Sequence, residues 1–459
     1  MQTTVNNLTR QEAKFDIEEL FFSITHDDST IISGNNTFIR ISGYTKEELV
    51  GRYHNIVRDP DMPRVIFKTF WDFIKAGKPI VAYVKNRTKT GGYYWVLAAV
   101  FPLKERFVSI RFKPTSTILA SVKEIYNKLL NAQEKLEMPQ SEELLLKLLN
   151  ELGYADYTHF MNEVLLKELL ERKRVLLGSN FYTKKRDFET DKSNQIMKSI
   201  YNKSEEVLDQ YTHWFEKIDE FTKIKSMYEE KSLVLNSLAR EIVLLSLNAS
   251  IASYKLKDDG GETFSVLASD IRTNSKENDL LINNIYTLSL SLSQFLDETI
   301  FLVSSISLQT EMVTYFVQEQ FDNKMQDNTA ELNKNIKTLF ELVSQYHERL
   351  TKLPLSVEQS IKKILTSLEE LEQQIMYLGY VQVYGIIESA RYRDDAQGFG
   401  KIFLQLKDLI TQTSQEISYI SDVSKNFYNE NSKLIKNSKE ITQTLSALKK
   451  EIENIKNME

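Results

Sequence analysis

The chain predicts a small α+β domain followed by a mainly α region, in which long antiparallel helical hairpins form a four-helix coiled-coil bundle. Three observations carry this. In the first 114 residues, short apolar runs alternate with turn residues and brief helical stretches. From about Ser193 onward, apolar residues recur at steps of three and four, the spacing of helices that pack along one seam. With 14 Gly and 7 Pro among 459 residues, helix breakers are scarce. A chain of this length exceeds one hydrophobic core. We place the units at 1–15 (N-terminal cap), 16–114 (α+β domain), 115–192 (helical connector), 193–326 (hairpin 1) and 327–459 (hairpin 2).

Within the first unit, Leu20 to His26 and Thr30 to Ser33 read as a β-hairpin around Asp27-Asp28-Ser29. Thr45 stands three residues before Glu48, the spacing of a capping box, and Gly51 can end that short helix. Pro63 opens a longer helix with Val65, Ile66, Phe70, Phe73 and Ile74 on one side and Gly77 as its stop. Strands over Ile80 to Thr88, Tyr93 to Phe101 and Phe107 to Phe112 follow, the first two joined through Lys89-Thr90-Gly91-Gly92. Helices between strand pairs must cover one face of the sheet, and a pocket is expected between the two layers.

The 70 residues from Gly34 to Leu103, GNNTFIRISGYTKEELVGRYHNIVRDPDMPRVIFKTFWDFIKAGKPIVAYVKNRTKTGGYYWVLAAVFPL, resemble the PAS domain of bacterial aerotaxis receptors. The SGYT, HNIVRDPDMP, KNRTKTG and YWV stretches carry the resemblance. In that family the pocket binds FAD, and the resemblance implies cofactor-binding roles for Asn35, His54, Arg58, Asp61, Trp71 and Asn86. An Arg and amide donors suit a diphosphate or flavin carbonyls, and an aromatic side chain can stack on the ring. Two positions depart from the family pattern: Asp59 stands in place of a His, and Ile80 in place of a strand Trp. From the residues alone, Trp71 also fits core packing beside Phe67 and Ile74. Arg58 can equally pair with Asp61 across Pro60, and His54 can be a hydrogen-bonded loop residue. A haem or an empty pocket stays open.

The connector reads as three shorter helices broken at Met138-Pro139-Gln140 and Leu152-Gly153, with a charged joint over Phe181 to Lys192. Beyond it, one seam runs through Leu281, Ile285, Leu288, Leu292, Phe295, Leu302 and Ile306. A second runs from Leu406 through Ile417, Ile420, Phe427, Leu434, Ile441, Leu445, Leu448 and Ile452 to Ile455, with polar gaps at Thr413, Ser424, Asn431 and Ser438. Such gaps soften a seam or are simply tolerated. Turns are expected at Lys257 to Gly261, Asp322 to Asn328 and Arg393 to Gly398, and at Pro354 a kink rather than a reversal.

The region is internally repeated. IASYKLKDDGG from Ile251 parallels IESARYRDDAQG from Ile387 at an offset of 136, and QYTHWFEKI from Gln210 parallels QYHERLTKL from Gln345 at 135. LSLNASIASYKLKDDGGETFSVLASDIR, Leu245 to Arg272, resembles the cytoplasmic tip of methyl-accepting chemotaxis proteins. That resemblance implies a partner-binding role at the tips for Asn248 and Lys255 in the first copy and Glu388 and Arg391 in the second. Receptors of that kind build a four-helix bundle from two chains; a chain with two hairpins can build it as a monomer.

Function classes narrow accordingly. A formal charge of −6 offers no footprint for nucleic acid. The absence of Cys excludes disulfides and thiolate chemistry and suits the cytoplasm. No run of about 18 apolar residues predicts a membrane span, and no phosphate loop or nucleophile-base pair predicts an enzyme. The expected function is a cytoplasmic energy- or redox-taxis sensor in signal transduction. Its PAS ligand state would reach a helical bundle that binds a chemotaxis histidine kinase, coupling protein or chemoreceptors. The alternative is a scaffold whose ligand-free PAS fold docks partners along the helices.

Overall fold

The computed structural model describes residues 11–178, 192–255, 259–322, 329–391 and 397–454. Five strands, β1 (Phe21–His26), β2 (Ile31–Gly34), β3 (Ile80–Arg87), β4 (Tyr93–Leu103) and β5 (Arg106–Phe112), form one antiparallel sheet in the order β2-β1-β5-β4-β3. Between β2 and β3 lie α1 (Asn36–Ser42), α2 (Lys46–Leu49), a 3₁₀ turn (His54–Val57) and α3 (Arg64–Lys75). Asn35 caps α1, and Thr45 and Glu48 form the expected reciprocal capping box on α2. Each such cap contributes about 1 kcal/mol. Gly51 follows α2 at φ +79°, a left-handed conformation that costs glycine nothing. Pro63 sits at the cap of α3, one residue before the expected helical position, because its ψ of 139° is extended.

The connector forms α4 (Ile118–Ala132), α5 (Met138–Glu151) and α6 (Tyr157–Gly178). Helix α5 begins within the expected break, at Met138, since Glu137 and Gln140 cap it reciprocally and Pro139 needs no amide partner in a first turn. The joint expected over Phe181 to Lys192 lies outside the described residues up to position 191, as do positions 1–10 of the N-terminal cap.

Four long helices follow: α7 (Lys192–Lys255), α8 (Asp259–Asp322), α9 (Thr329–Arg391) and α10 (Gln397–Asn454). The first three span 64, 64 and 63 residues. Gly260 and Gly261 are helical in α8 rather than part of a turn, while Lys257, Asp258 and positions 323–328 and 392–396 lie outside the described residues, as does Ile455. Helix α9 continues through Pro354, so the chain does not reverse there, and Asn431 donates to the Pro354 carbonyl at 2.7 Å.

The chain divides into two compact units. One comprises Met1–Thr212, Ile300–Glu348 and Ile441–Glu459, and the other His213–Thr299 and Arg349–Glu440. In the second unit the seam gaps are buried and satisfied: Thr413 bonds the Leu409 carbonyl, and Ser424 lies 2.6 Å from the Tyr228 hydroxyl. Those polar positions are therefore paired rather than loose. Ion pairs Lys225–Asp297, Lys231–Glu416 and Lys217–Glu430 edge the core. Phe264 of hairpin 1 stacks on Phe399 of hairpin 2, ring centres 4.0 Å apart.

Two stretches, Gln195–Tyr254 and Gly261–Gln320, each contain an 18-residue window apolar enough by composition to cross a membrane. In the second, 83% of that window is buried inside the protein, so core packing accounts for its composition. Small polar residues such as Ser304 and Ser305 are buried in that helix too.

Candidate functional site

Strand alternation sorts the sheet into two working faces. Ser23 and Thr25 of β1, Val84 and Asn86 of β3, Ala98 and Val100 of β4, and Phe107, Ser109 and Arg111 of β5 point toward the covering helices. With His54, Asn55 and Arg58 from the 3₁₀ region, and Phe67, Phe70, Trp71 and Ile74 from α3, they enclose a cavity of about 230 Å³. Exposed Asn55 and half-buried Arg58 mark its mouth.

Three buried polar atoms in this wall have no hydrogen-bond partner: His54 Nε2, Asn86 Nδ2 and Arg111 Nη1. Asn86 sits beside the Tyr94 hydroxyl, but the pair falls outside hydrogen-bond geometry. Arg111 is buried, bonds Ser23 Oγ and, at 3.0 Å, Ser109 Oγ, and lies 4.7 Å from the Phe38 ring centre. Burial lowers its pKa to about 10, so it keeps its charge near neutral pH. Burial, helped by Arg111, lowers His54 to about 3, leaving a neutral imidazole stacked parallel to Phe38. The wall thus offers a guanidinium, an amide and an imidazole to a ligand rich in acceptors. Leaving each unpaired costs roughly 1–3 kcal/mol.

Of the six residues implied by the resemblance, His54, Arg58, Trp71 and Asn86 come together around this cavity. The Arg58 guanidinium rests 3.8 Å from the Phe67 ring centre. Asn35 and Asp61 do not line it. Asn35 accepts from the Phe22 and Phe38 amides and donates to the Leu20 carbonyl, work that occupies its whole side chain. Asp61 pairs with Lys85 at 2.7 Å. Buried Asp59 also faces Lys85, at 3.6 Å, so its charge is compensated away from the cavity. Ile80 is buried on the cavity side of β3, beyond the lining. Arg111 was missed by sequence reasoning. Its signal is present in Phe107-Val108-Ser109-Ile110-Arg111, where alternation places Ser109 and Arg111 on one face.

The opposite sheet face is packed against helices. Tyr83 Oη donates to Glu168 of α6 at 2.6 Å, Tyr126 of α4 donates to the Tyr83 carbonyl, and Phe112 lies under Arg172 of α6. Phe22 meets Phe316 of α8 edge-on, and Phe101 meets Tyr346 of α9. Arg172 closes the contact with Glu311 of α8 at 2.8 Å. One sheet therefore separates the cavity from the packed helices, a single layer of backbone thick.

A family model described as the PAS fold matches residues 31–110. Residues 31–110 form a PAS domain. The aerotaxis receptor of Escherichia coli (strain K12) is 39% identical over 130 residues, which are 27% of this chain and 26% of that receptor. This chain thus matches about a quarter of the length of that curated relative. Among solved structures, the light-state structure of the blue-light photoreceptor Aureochrome1 LOV is 20% identical, covering 25% of this chain and 90% of that one with a TM-score of 0.21. A structure titled "Flavin Analogue Sheds Light on Light-Oxygen-Voltage Domain Mechanism" is 18% identical over 24% of this chain and 89% of that one, TM-score 0.22.

At the tips expected to bind partners, Asn248 is exposed, and Arg391 pairs at 2.7 Å with buried Glu388. Lys255 ends α7, and its side chain lies outside the described residues. Around them the helices expose apolar residues: Leu244, Leu247 and Ile251 on α7 and, 136 positions on, Tyr380, Val383 and Ile387 on α9.

Proposed function

We propose that this chain is a cytoplasmic, non-enzymatic chemotaxis-type sensor whose PAS cavity holds a flavin and whose hairpin tips engage chemotaxis signalling partners. The cavity's three unpartnered polar atoms, His54 Nε2, Asn86 Nδ2 and Arg111 Nη1, carry the reading. A flat ring with carbonyl and imine acceptors satisfies them, while Trp71, Phe67 and Phe107 supply apolar walls. The cavity suits the ring system, and Arg58 at the mouth suits the diphosphate of FAD. When bound, the flavin supplies the redox chemistry. The protein's part is electrostatic: buried Arg111 favours negative charge on the ring, and neutral His54 is free to donate or accept at Nε2. Kinship of the PAS region with an aerotaxis receptor supports an energy-taxis role.

Sheet-to-helix contacts give the ligand state a route outward. Ser23 and Arg111 line the cavity, and the adjoining Phe22 and Phe112 side chains meet α8 and α6. Repeated exposed apolar positions on α7 and α9 support a protein-binding role for the tips.

The test is a flavin spectrum of the purified full-length chain with extraction of the bound molecule. Trp71→Ala and Arg58→Ala should each weaken retention roughly tenfold or more, since each removes a contact of about 1–3 kcal/mol. Undiminished yellow colour in both variants rejects the proposed pocket.

A further inference from the structure

Two sets of helices hold the PAS sheet, and they hold it differently. On the connector side, Glu168 of α6 accepts from Tyr83, Thr115 and Ser116, while Tyr126 and Tyr157 donate to the carbonyls of Tyr83 and Val81. On the α8 and α9 side, the polar links are side-chain pairs. Tyr315 lies 2.7 Å from Thr37 and Asn335 3.4 Å from Ser33, and the ion pairs Lys46–Glu331 and Lys104–Glu341 stand within reach of solvent. Links of this kind exchange their partner for water at little cost.

Between those links the contact is apolar on the sheet side but not on the helix side. Ser305, Gln309, Met312 and Phe316 follow one another at steps of four, three and four, one stripe of α8, and all four are fully buried. Phe316 fixes where the stripe points, since its ring meets Phe22 with centres 4.9 Å apart. Strand alternation puts Phe22, Ile24, Ala99, Phe101, Val108 and Ile110 on that face of the sheet, opposite the residues that line the cavity, and all six are apolar. Against them Gln309 has both Oε1 and Nε2 without a partner, and Ser305 its Oγ. Arg172 of α6 reaches Glu311 of α8 at 2.8 Å, and its Nη1 is likewise unpartnered. Buried polar atoms of this kind weigh against the docked arrangement, because release returns them to water.

We propose that the seam between the PAS sheet and α8 is built to open, with Gln309 keeping the docked state releasable, while α4 to α6 stay on the sheet. This stands on the packing alone and holds whether or not the cavity takes a flavin. Phe22 in the seam adjoins Ser23 in the cavity wall, so any shift of β1 at the cavity reaches the seam directly.

The chain contains no Cys, so one introduced thiol reports opening by its rate of reaction with a thiol reagent in the full-length protein. Ser305→Cys places it in the seam with almost no change of size. Val81→Cys places it on β3 beneath the connector, at the residue whose carbonyl Tyr157 bonds. Relative to an exposed thiol, Ser305→Cys should react at least about tenfold faster than Val81→Cys under native conditions. Adding Gln309→Leu should slow Ser305→Cys about tenfold, since the docked state then loses an unpaired amide, and leave Val81→Cys unchanged. Equal or reversed rates in the two single variants overturn the proposal. So does a Gln309→Leu that speeds the reaction at Ser305→Cys or leaves it unchanged, the result expected if buried water already satisfies the amide, and so does equal slowing at both positions. If Gln309→Leu does not fold, Gln309→Met is measured in its place, with the same expected slowing and the same overturning results.

Discussion

Glu168→Ala should lower the stability of the PAS-containing unit by roughly 3–5 kcal/mol, the largest effect expected from any single connector residue. The carboxylate of this fully buried residue accepts from five donors: Tyr83 Oη at 2.6 Å, the Thr115 amide at 2.6 Å and Thr115 Oγ1 at 3.3 Å, the Ser116 amide at 2.9 Å and Ser116 Oγ at 2.7 Å. These donors come from the sheet and from the segment that leaves it, so one side chain on α6 fixes both. Removing it leaves buried hydroxyl and amide donors without their acceptor. Glu168→Gln keeps one acceptor oxygen and should cost less, about 1–2 kcal/mol. The measurement is the first transition in thermal or denaturant unfolding of the full chain, with limited proteolysis to show which segment opens. Equal stability of Glu168→Ala and wild type would mean that α6 does not hold the sheet. The route from cavity to helices would then run through α8 and α9 alone.

How far the sequence announces this arrangement depends on the range of the interaction. Local chemistry is written plainly: Thr45 and Glu48 cap α2 as their spacing predicts, and the strand alternation of β3 to β5 falls where expected. The seam positions Ile417, Ile420, Phe427, Leu434 and Ile441 are buried in α10. Side-chain roles that depend on packing partners are not written locally. Asn35 belongs to a motif that implies ligand contact, yet an Asn directly before the helical run Asn36 to Ser42 is also an N-cap signal, and the cap is the role it has here. Asp61 reads as a partner for Arg58 because they are three residues apart. Lys85, 24 positions away, takes it instead across the sheet edge. Glu168 and Arg172 stand in the charged stretch Glu168-Leu169-Leu170-Glu171-Arg172-Lys173-Arg174, whose composition is that of a solvated helix face. They are buried because sheet and α8 converge on α6 from distant parts of the chain, which no window of sequence reveals.

The duplicated hairpins lead to the second large effect. The repeat aligns Ala249 with Gly385 at an offset of 136, and Phe264 with Phe399 and Ala268 with Phe403 at 135. Phe264 and Phe399 stack on each other, as equivalent residues do beside a two-fold axis. A complementary pair of differences stands beside this stack. Copy one has buried Ala249 and Ala268; copy two has Gly385 and buried Phe403. A Cβ added at Gly385 would stand 2.2 Å from Phe403 Cζ, and that ring is already backed by Phe264 and Phe399. Gly385→Ala should therefore cost about 1–3 kcal/mol by overpacking, and Phe403→Ala about 3–5 kcal/mol by leaving a cavity. The double variant recreates the small pair of copy one, and its cost should fall below the sum of the two by 1 kcal/mol or more. Unfolding of the four proteins completes the cycle, and strict additivity would show that Gly385 is not small on account of Phe403. All four should scatter light as monomers, since the partner helices for each hairpin are already in the chain.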